Sequence, residues 1–239
     1  MGEFSSFQEV LDILHANDVK YLILRNYDNL LMPEMYQNGH GDVDMLCEDS
    51  MQIVNLLHAR CYEDLNKDLY DDKTHYFILI DGKRVKLDLR HVGDGYYCEE
   101  WQNDMLNSRE LSDQGFFILD KENMLYSIIY HAIIQKDYLS KEYDTLIKNM
   151  LFDLDLAVQS NGVSTEKQYI LLLEHFMKSK NYVYTYPVDR YVPLNRSLID
   201  KTLIKKGPIL KRKHDKYEAK LRFKARLVRI KHFLKKCCH

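Results

Sequence analysis

At 239 residues, 46% hydrophobic and 29% charged, the chain has ordinary globular composition and enough length to bury a core, which excludes a disordered chain or a stapled miniprotein. The formal net charge of -2 hides an asymmetry: residues 201–239 hold 15 Lys/Arg against 2 Asp/Glu, a net +13, and residues 1–200 hold 19 against 34, a net -15. Five cysteines without metal-type spacing, and no apolar stretch of bilayer length, predict a reduced, cytoplasmic setting rather than a secreted or membrane-spanning one.

Ser6-Phe7-Gln8-Glu9 has the pattern of a capping box, and Phe7, Val10, Leu11 and Leu14 then share one helical face, predicting a first helix that ends near Ala16-Asn17-Asp18. Lys20 to Leu24 suits a short buried strand, and the stretch through Asn29, Pro33, Asn38, Gly39 and Gly41 predicts a long loop. Asp42 to Cys47 reads as a second strand, and residues 50–60 as an amphipathic helix with Ile53, Leu56 and Leu57 inward. Asp81-Gly82 between the alternating runs His75 to Ile80 and Lys83 to Leu89 signals a hairpin.

From Lys121 the period becomes helical: Met124, Leu125, Ile128, Ile129, Ala132 and Ile133 form one stripe, and Leu146, Ile147, Met150, Leu151 and Leu154 a second. A third helix is expected from Thr165 to Lys178. Tyr182 to Pro187 is extended, its alternating tyrosines suited to lining a surface or covering an edge, and Pro187 and Pro193 mark a linker. This order predicts an α+β fold: a small mixed β-sheet core in 1–118, a helical domain in 119–196, and a basic amphipathic C-terminal helix in 197–239.

The chemistry concentrates in Gly41-Asp42-Val43-Asp44-Met45, where two acids separated by one apolar residue fall on the same side of a strand. Carboxylates about 6–7 Å apart along a strand suit a hard divalent cation such as Mg2+, which takes oxygen ligands. Asp88, between Leu87 and Leu89, offers a third acid, and Lys86 and Arg90 share its face by the period of two. An Asp-x-Asp alone is common in turns and on solvated strands. The apolar flanks favour metal binding here, because burying unpaired carboxylates is costly.

Together with Leu24-Arg25-Asn26-Tyr27 and Val85-Lys86-Leu87-Asp88, this pattern resembles the DNA polymerase beta-like nucleotidyltransferase superfamily over residues 6 to 92. More narrowly, it resembles bacterial nucleotidyltransferase-like proteins associated with surface-polysaccharide genes. The resemblance implies a transferase that moves a nucleotidyl or related phosphoryl group from a nucleotide donor to a hydroxyl acceptor, such as a sugar or lipid-linked glycan. It implies that Asp42, Asp44 and Asp88 are catalytic and hold two Mg2+ ions, or Mn2+ in their place, which stabilise charge on the entering and leaving oxygens. Arg25-Asn26 stands where the superfamily has Gly-Ser or Gly-Gly, so Arg25 and Asn26 become substrate-side residues, Arg25 offering a guanidinium to phosphate oxygens. Gly39, His40 and Gly41 at the loop mouth, with Lys86 and Arg90 along the third strand, complete the expected substrate contacts.

The altered turn keeps open a catalytically degenerate nucleotide- or partner-binding module. An RNA-modifying nucleotidyltransferase is a third reading, disfavoured by the acidic body because a polynucleotide wants a continuous basic track. A metal-dependent glycosyltransferase would need a larger α/β region ahead of its acids than the roughly forty residues present. His131 and Lys136 read as ordinary helix residues, facing substrate only if their helix closes over the cleft; Cys61 and Cys98 read as buried, inert thiols. In the tail, Phe223, Leu227, Ile230 and Leu234 recur at helical spacing among Lys and Arg. Residues 220–236 thus suit, in that order, an anionic membrane surface, the chain's own acidic body or nucleic acid, and the first would make the protein peripheral at the inner membrane face.

Overall fold

The computed structural model describes residues 2–32, 42–61, 75–136, 138–156, 164–186 and 195, with helical positions scattered between 212 and 230. Gly39, His40 and Gly41, the prolines 187 and 193, and Leu234 lie outside the described residues. In chain order the elements are β1 (Glu3–Phe4), α1 (Phe7–Ala16), β2 (Tyr21–Ile23), β3 (Asp42–Cys47), α2 (Ser50–Leu56), β4 (Arg60–Cys61), β5 (His75–Ile80) and β6 (Lys83–His91). They continue with α3 (Glu99–Asn107), β7 (Glu110–Leu111), β8 (Phe117–Ile118), α4 (Lys121–Ile133), α5 (Lys141–Asp153) and α6 (Thr165–Ser179).

Local chemistry starts and stops these elements. The Ser6 hydroxyl accepts the Glu9 amide at 3.3 Å to cap α1, while the Glu9 carboxylate reaches back to the Ser5 amide at 2.7 Å, one residue earlier than a capping box places it. Asp49, Asp120 and Ser140 cap α2, α4 and α5 in the same way. Asp81 and Gly82 take φ of 49° and 70°, the paired positive angles that let a two-residue turn follow the twist of β5 and β6.

The strands form one mixed sheet of eight in the order β1-β5-β6-β3-β2-β8-β7, with β4 also paired to β5. β3 and β6 lie side by side in parallel at its centre. Alternation along each strand divides the interior into two cores, one on each face of the sheet. Val43, Met45, Val85, Leu87, Leu89 and Ile78 pack with α1 and α2 on one face. Leu22, Leu24 and Leu46 face the other way and join Trp101 of α3 and the buried sides of α4, α5 and α6 in a single cluster. That cluster runs unbroken across residue 118, so the sheet and the helices after it share a core.

The structure amends several expectations. Four strands, β1, β4, β7 and β8, have two residues each, too few to show a period, and widen the expected small sheet. Helix α2 stops at Leu56, and α3 arises in Glu-Glu-Trp-Gln-Asn-Asp-Met-Leu-Asn, whose polar composition masks the buried Trp101, Met105 and Leu106. Tyr182, Tyr184 and Tyr186 are buried in the helical-side core rather than lining a surface, with Trp101 and Phe176 as ring partners for Tyr182 and Tyr130 for Tyr184. Cys61 is exposed on the edge strand β4, whereas Cys98 is buried as expected. No helix among the described residues is long and apolar enough to cross a membrane.

Candidate active site

The parallel register of β3 and β6 sets Asp42 opposite Lys86, Asp44 opposite Asp88 and Leu46 opposite Arg90. Because the side-chain period is two, all of these point away from the Val43, Met45, Leu87 and Leu89 core. On the far side of β6, His75 of β5 is registered with Asp88. Beyond β3, the Leu24 amide donates to the Asp44 carbonyl at 2.8 Å and extends the pairing of β2, so Arg25 arrives beside Asp44. Asn26 then turns the chain at a φ of 58°, the left-handed conformation that glycine adopts freely and asparagine tolerates. Asn26 thus supplies a left-handed turn without a glycine, while Arg25 before it adds a charge.

A row of ionisable groups thus crosses the sheet, two acids flanked by two bases: His75, Asp88, Asp44, Arg25. Arg25 Nε lies 3.0 Å from Asp44 Oδ2, and Arg90 Nη2 lies 2.8 Å from Asp88 Oδ2. His75 Nε2 is 3.6 Å from the other Asp88 oxygen, and Lys86 Nζ is 3.5 Å from Asp42 Oδ1. The Asp42 side chain is 58% exposed, against 13% for Asp44 and 15% for Asp88, which puts Asp42 at the lip and the other two on the floor.

Tyr96, which follows the Asp94 turn after β6, joins the two arginines. Its hydroxyl accepts from Arg25 Nη2 at 3.0 Å, and its ring lies 4.2 Å beneath the Arg90 guanidinium carbon. Gln135 Nε2 donates to the Tyr96 carbonyl at 2.8 Å, which turns Gln135 Oε1 toward His131 Nδ1 at 3.1 Å. That assignment places the imidazole proton on Nδ1. The Tyr96 hydroxyl, 3.3 Å from the same nitrogen, then serves Arg25 as acceptor.

The resulting cleft, about 400 Å³, is lined by Arg25, Asn26, Asp42, Asp44, Lys86, Asp88 and Arg90, all anticipated as site residues. His75, Tyr76, Tyr96 and Tyr143 also line it and carry no sequence signal, since a lone aromatic or histidine at a strand end, after a strand or at a helix start has no pattern to betray it. His131 and Lys136 face the cleft too, because α4 packs against the open face of the sheet.

Burial dominates the ionisation of this floor. It pushes Asp44 up, with the Asp88 and Asp42 carboxylates adding to the shift and Arg25 and Arg90 opposing it. Burial would push Asp88 up as well, yet Arg90 and His75 together hold it well below the usual carboxylate range. Tyr96 is pushed up to about 12 by burial. Burial also lowers His131 well below an ordinary imidazole, helped by Arg25 and Lys136, so the ring is neutral; Lys136 is lowered by burial and by Arg25.

The donor chemistry of three carboxylates on one face fits hard divalent cations. Asp88 Oδ1 is buried and, with His75 Nε2 3.6 Å away, makes no close hydrogen bond, so it keeps acceptor capacity that an ion would use. The arrangement itself is drawn toward the chain's own cations, and among the described residues no three His, Cys, Asp or Glu side chains converge on one metal-sized point.

The sequence matches no protein-family model and no curated protein. Among solved structures, that of the antibiotic-resistance factor ANT(2'')-Ia is similar at 12% identity, over 73% of this chain and 91% of that one, with a TM-score of 0.38. An antigenic nucleotidyltransferase-like protein from Paracoccidioides brasiliensis is similar at 12% identity, over 86% of this chain and 97% of that one, with a TM-score of 0.35.

Proposed function

We propose that the chain is a divalent-cation-dependent transferase that moves a nucleotidyl or related phosphoryl group from a nucleotide donor to a hydroxyl acceptor. The observation that carries this reading is the in-register pairing of Asp44 with Asp88 on adjacent parallel strands, with Asp42 one step outward on the same face. Burial first, and the adjacent Asp88 and Asp42 carboxylates after it, push Asp44 up, and a cleft that maintains such a cost suits positive charge delivered by cation and substrate.

Asp42 and Asp44 would hold the donor-side ion and Asp88 the acceptor-side ion; bound there, the metal would supply charge neutralisation for the entering and leaving oxygens. The other roles belong to the chain's side chains. Arg25 is steadied by Asp44 and Tyr96 where donor phosphate oxygens would enter, and Lys86 and Lys136 face the same space from the sheet and from the end of α4. Asp88, held as a carboxylate by Arg90 and His75, would orient the attacking hydroxyl by accepting its hydrogen bond, although so low a basicity makes it a weak proton acceptor. The acceptor class, a sugar or lipid-linked glycan at a surface-polysaccharide step, rests on the sequence resemblance.

The test is pyrophosphate release from each common nucleoside triphosphate in Mg2+, with a glycan extract as acceptor. Activity that survives Asp44→Asn with Asp88→Asn would sink the proposal. A second reading, a nucleotide- or partner-binding module without turnover, is favoured by the commitment of Asp44 to Arg25 and of Asp88 to Arg90. Calorimetry separates them: nucleotide binding unaffected by chelation of divalent ions supports the module, and Mg2+-dependent binding supports the transferase.

A further inference from the structure

We infer that the C-terminal tail is a docking surface for an anionic lipid bilayer, a conclusion independent of the chemistry assigned to the cleft. The first observation is exposure. Phe223, Leu227 and Ile230 occupy helical positions and are 63%, 49% and 55% exposed, so the described part of the apolar stripe is not seated on the protein's own body. Large apolar side chains recurring along one helical stripe and left in water mark an interaction surface.

The second observation is charge. Arg212, Lys216 and Lys220 lead into Phe223, Leu227 and Ile230 at steps of four, four, three, four and three residues, so cations continue the apolar stripe toward its N-terminal end. By helical spacing Arg222 and Arg226 flank the stripe on one side, and the sequence around them is rich in further Lys and Arg. Among these, Arg212, Lys216, Lys220, Arg222 and Arg226 are described and exposed. The stretch from 201 to 239 carries a net +13 and the rest of the chain -15, so the attraction to an anionic surface is confined to one end.

The apolar centre decides which anionic partner fits. A polynucleotide would neutralise the rim but leave Phe223, Leu227 and Ile230 facing water or phosphate. A bilayer interface accepts both parts at once, with cations at the headgroups and apolar side chains at the acyl boundary. Docked in this way, the tail would hold the cleft near membrane-bound acceptors.

The experiment is flotation of the full chain with vesicles of phosphatidylcholine alone and of phosphatidylcholine mixed with phosphatidylglycerol, with polyuridylate as a competitor. Partitioning to the anionic vesicles is expected to exceed that to neutral ones by about ten-fold or more. A Phe223→Ser/Leu227→Ser/Ile230→Ser variant should lose about ten-fold or more of that binding while the thermal midpoint of the body stays unchanged. A Lys220→Gln/Arg222→Gln/Arg226→Gln variant should retain weak binding and lose the preference for phosphatidylglycerol. Equal binding to both vesicle types, or a triple-Ser variant that binds like the parent, overturns the inference. Polyuridylate held more tightly than the anionic vesicles, and equally well by the triple-Ser variant, overturns it in favour of nucleic acid.

Discussion

The two faces of β3 and β6 are built from alternate residues of the same segments, yet they are opposite in kind. On one face Val43, Met45, Val85, Leu87 and Leu89 are buried under α1 and α2 with no polar group among them. On the other, Asp42, Asp44, Lys86, Asp88 and Arg90 line an open cleft in which each carboxylate has a cation near it. The dry face holds the strands in register, and only a fixed register sets Asp44 against Asp88. A slip of either strand by one residue would turn its own acid into the apolar core, where burying it is costly. The charged face therefore draws its geometry from the apolar one, and changes to the two faces should separate cleanly into losses of activity and losses of stability.

The largest expected effect lies on the charged face. Asp44→Asn with Asp88→Asn should lower turnover by about a thousand-fold or more, ~4 kcal/mol of transition-state stabilisation, measured as pyrophosphate release from a protein whose circular dichroism is unchanged. On the dry face, Leu87→Ala should cost about 2–5 kcal/mol of folding stability, read from urea unfolding, with activity per folded molecule preserved. If Leu87→Ala instead abolishes activity without loss of stability, the division between the faces is wrong.

The third effect tests how firmly α4 closes over the charged face. His131 is surrounded by Tyr96, Gln135, Tyr143, Arg25, Arg90 and Lys136, and burial with the nearby cations keeps it neutral in the folded protein. The unfolded chain takes up that proton as pH falls through about 6.5, while the folded chain resists it. Stability from this group is thus fully present above that pH and declines below it, by at most about 1.4 kcal/mol per pH unit. The difference in thermal midpoint between the wild type and His131→Gln should therefore shrink from pH 7.5 to pH 5.5; a difference independent of pH would mean that water reaches the ring.

The smallest effect concerns Tyr96 alone. Tyr96→Phe removes the acceptor for Arg25 and keeps the ring beneath Arg90, at a cost of ~1 kcal/mol, or roughly five-fold, expected in KM for the nucleotide rather than in kcat. Tyr96→Leu removes both contacts and should cost more, and a Phe variant as impaired as the Leu variant would show that the hydroxyl matters more than the ring.

Much of this was legible in the sequence, and for a local reason. The alternation of Asp42-Val43-Asp44-Met45 and of Lys86-Leu87-Asp88-Leu89-Arg90 assigns each side chain to a face once the segments are strands, and Asp81-Gly82 specifies its own turn. The Ser6 cap of α1 and the stripes of α4 to α6 are likewise read within one or two turns of chain. What no local pattern contains is the lateral order of strands. That order brings Asp44 beside Asp88, Arg25 to the next position and His75 to the far side. Tyr96, His131 and Lys136 entered the cleft for the same reason: only the packing of α4 on the sheet's open face brings groups so distant in sequence together. Alternation decides the direction in which each residue points, a property of the single strand; neighbours across a sheet are decided by which buried surfaces fit together, a property of the whole fold.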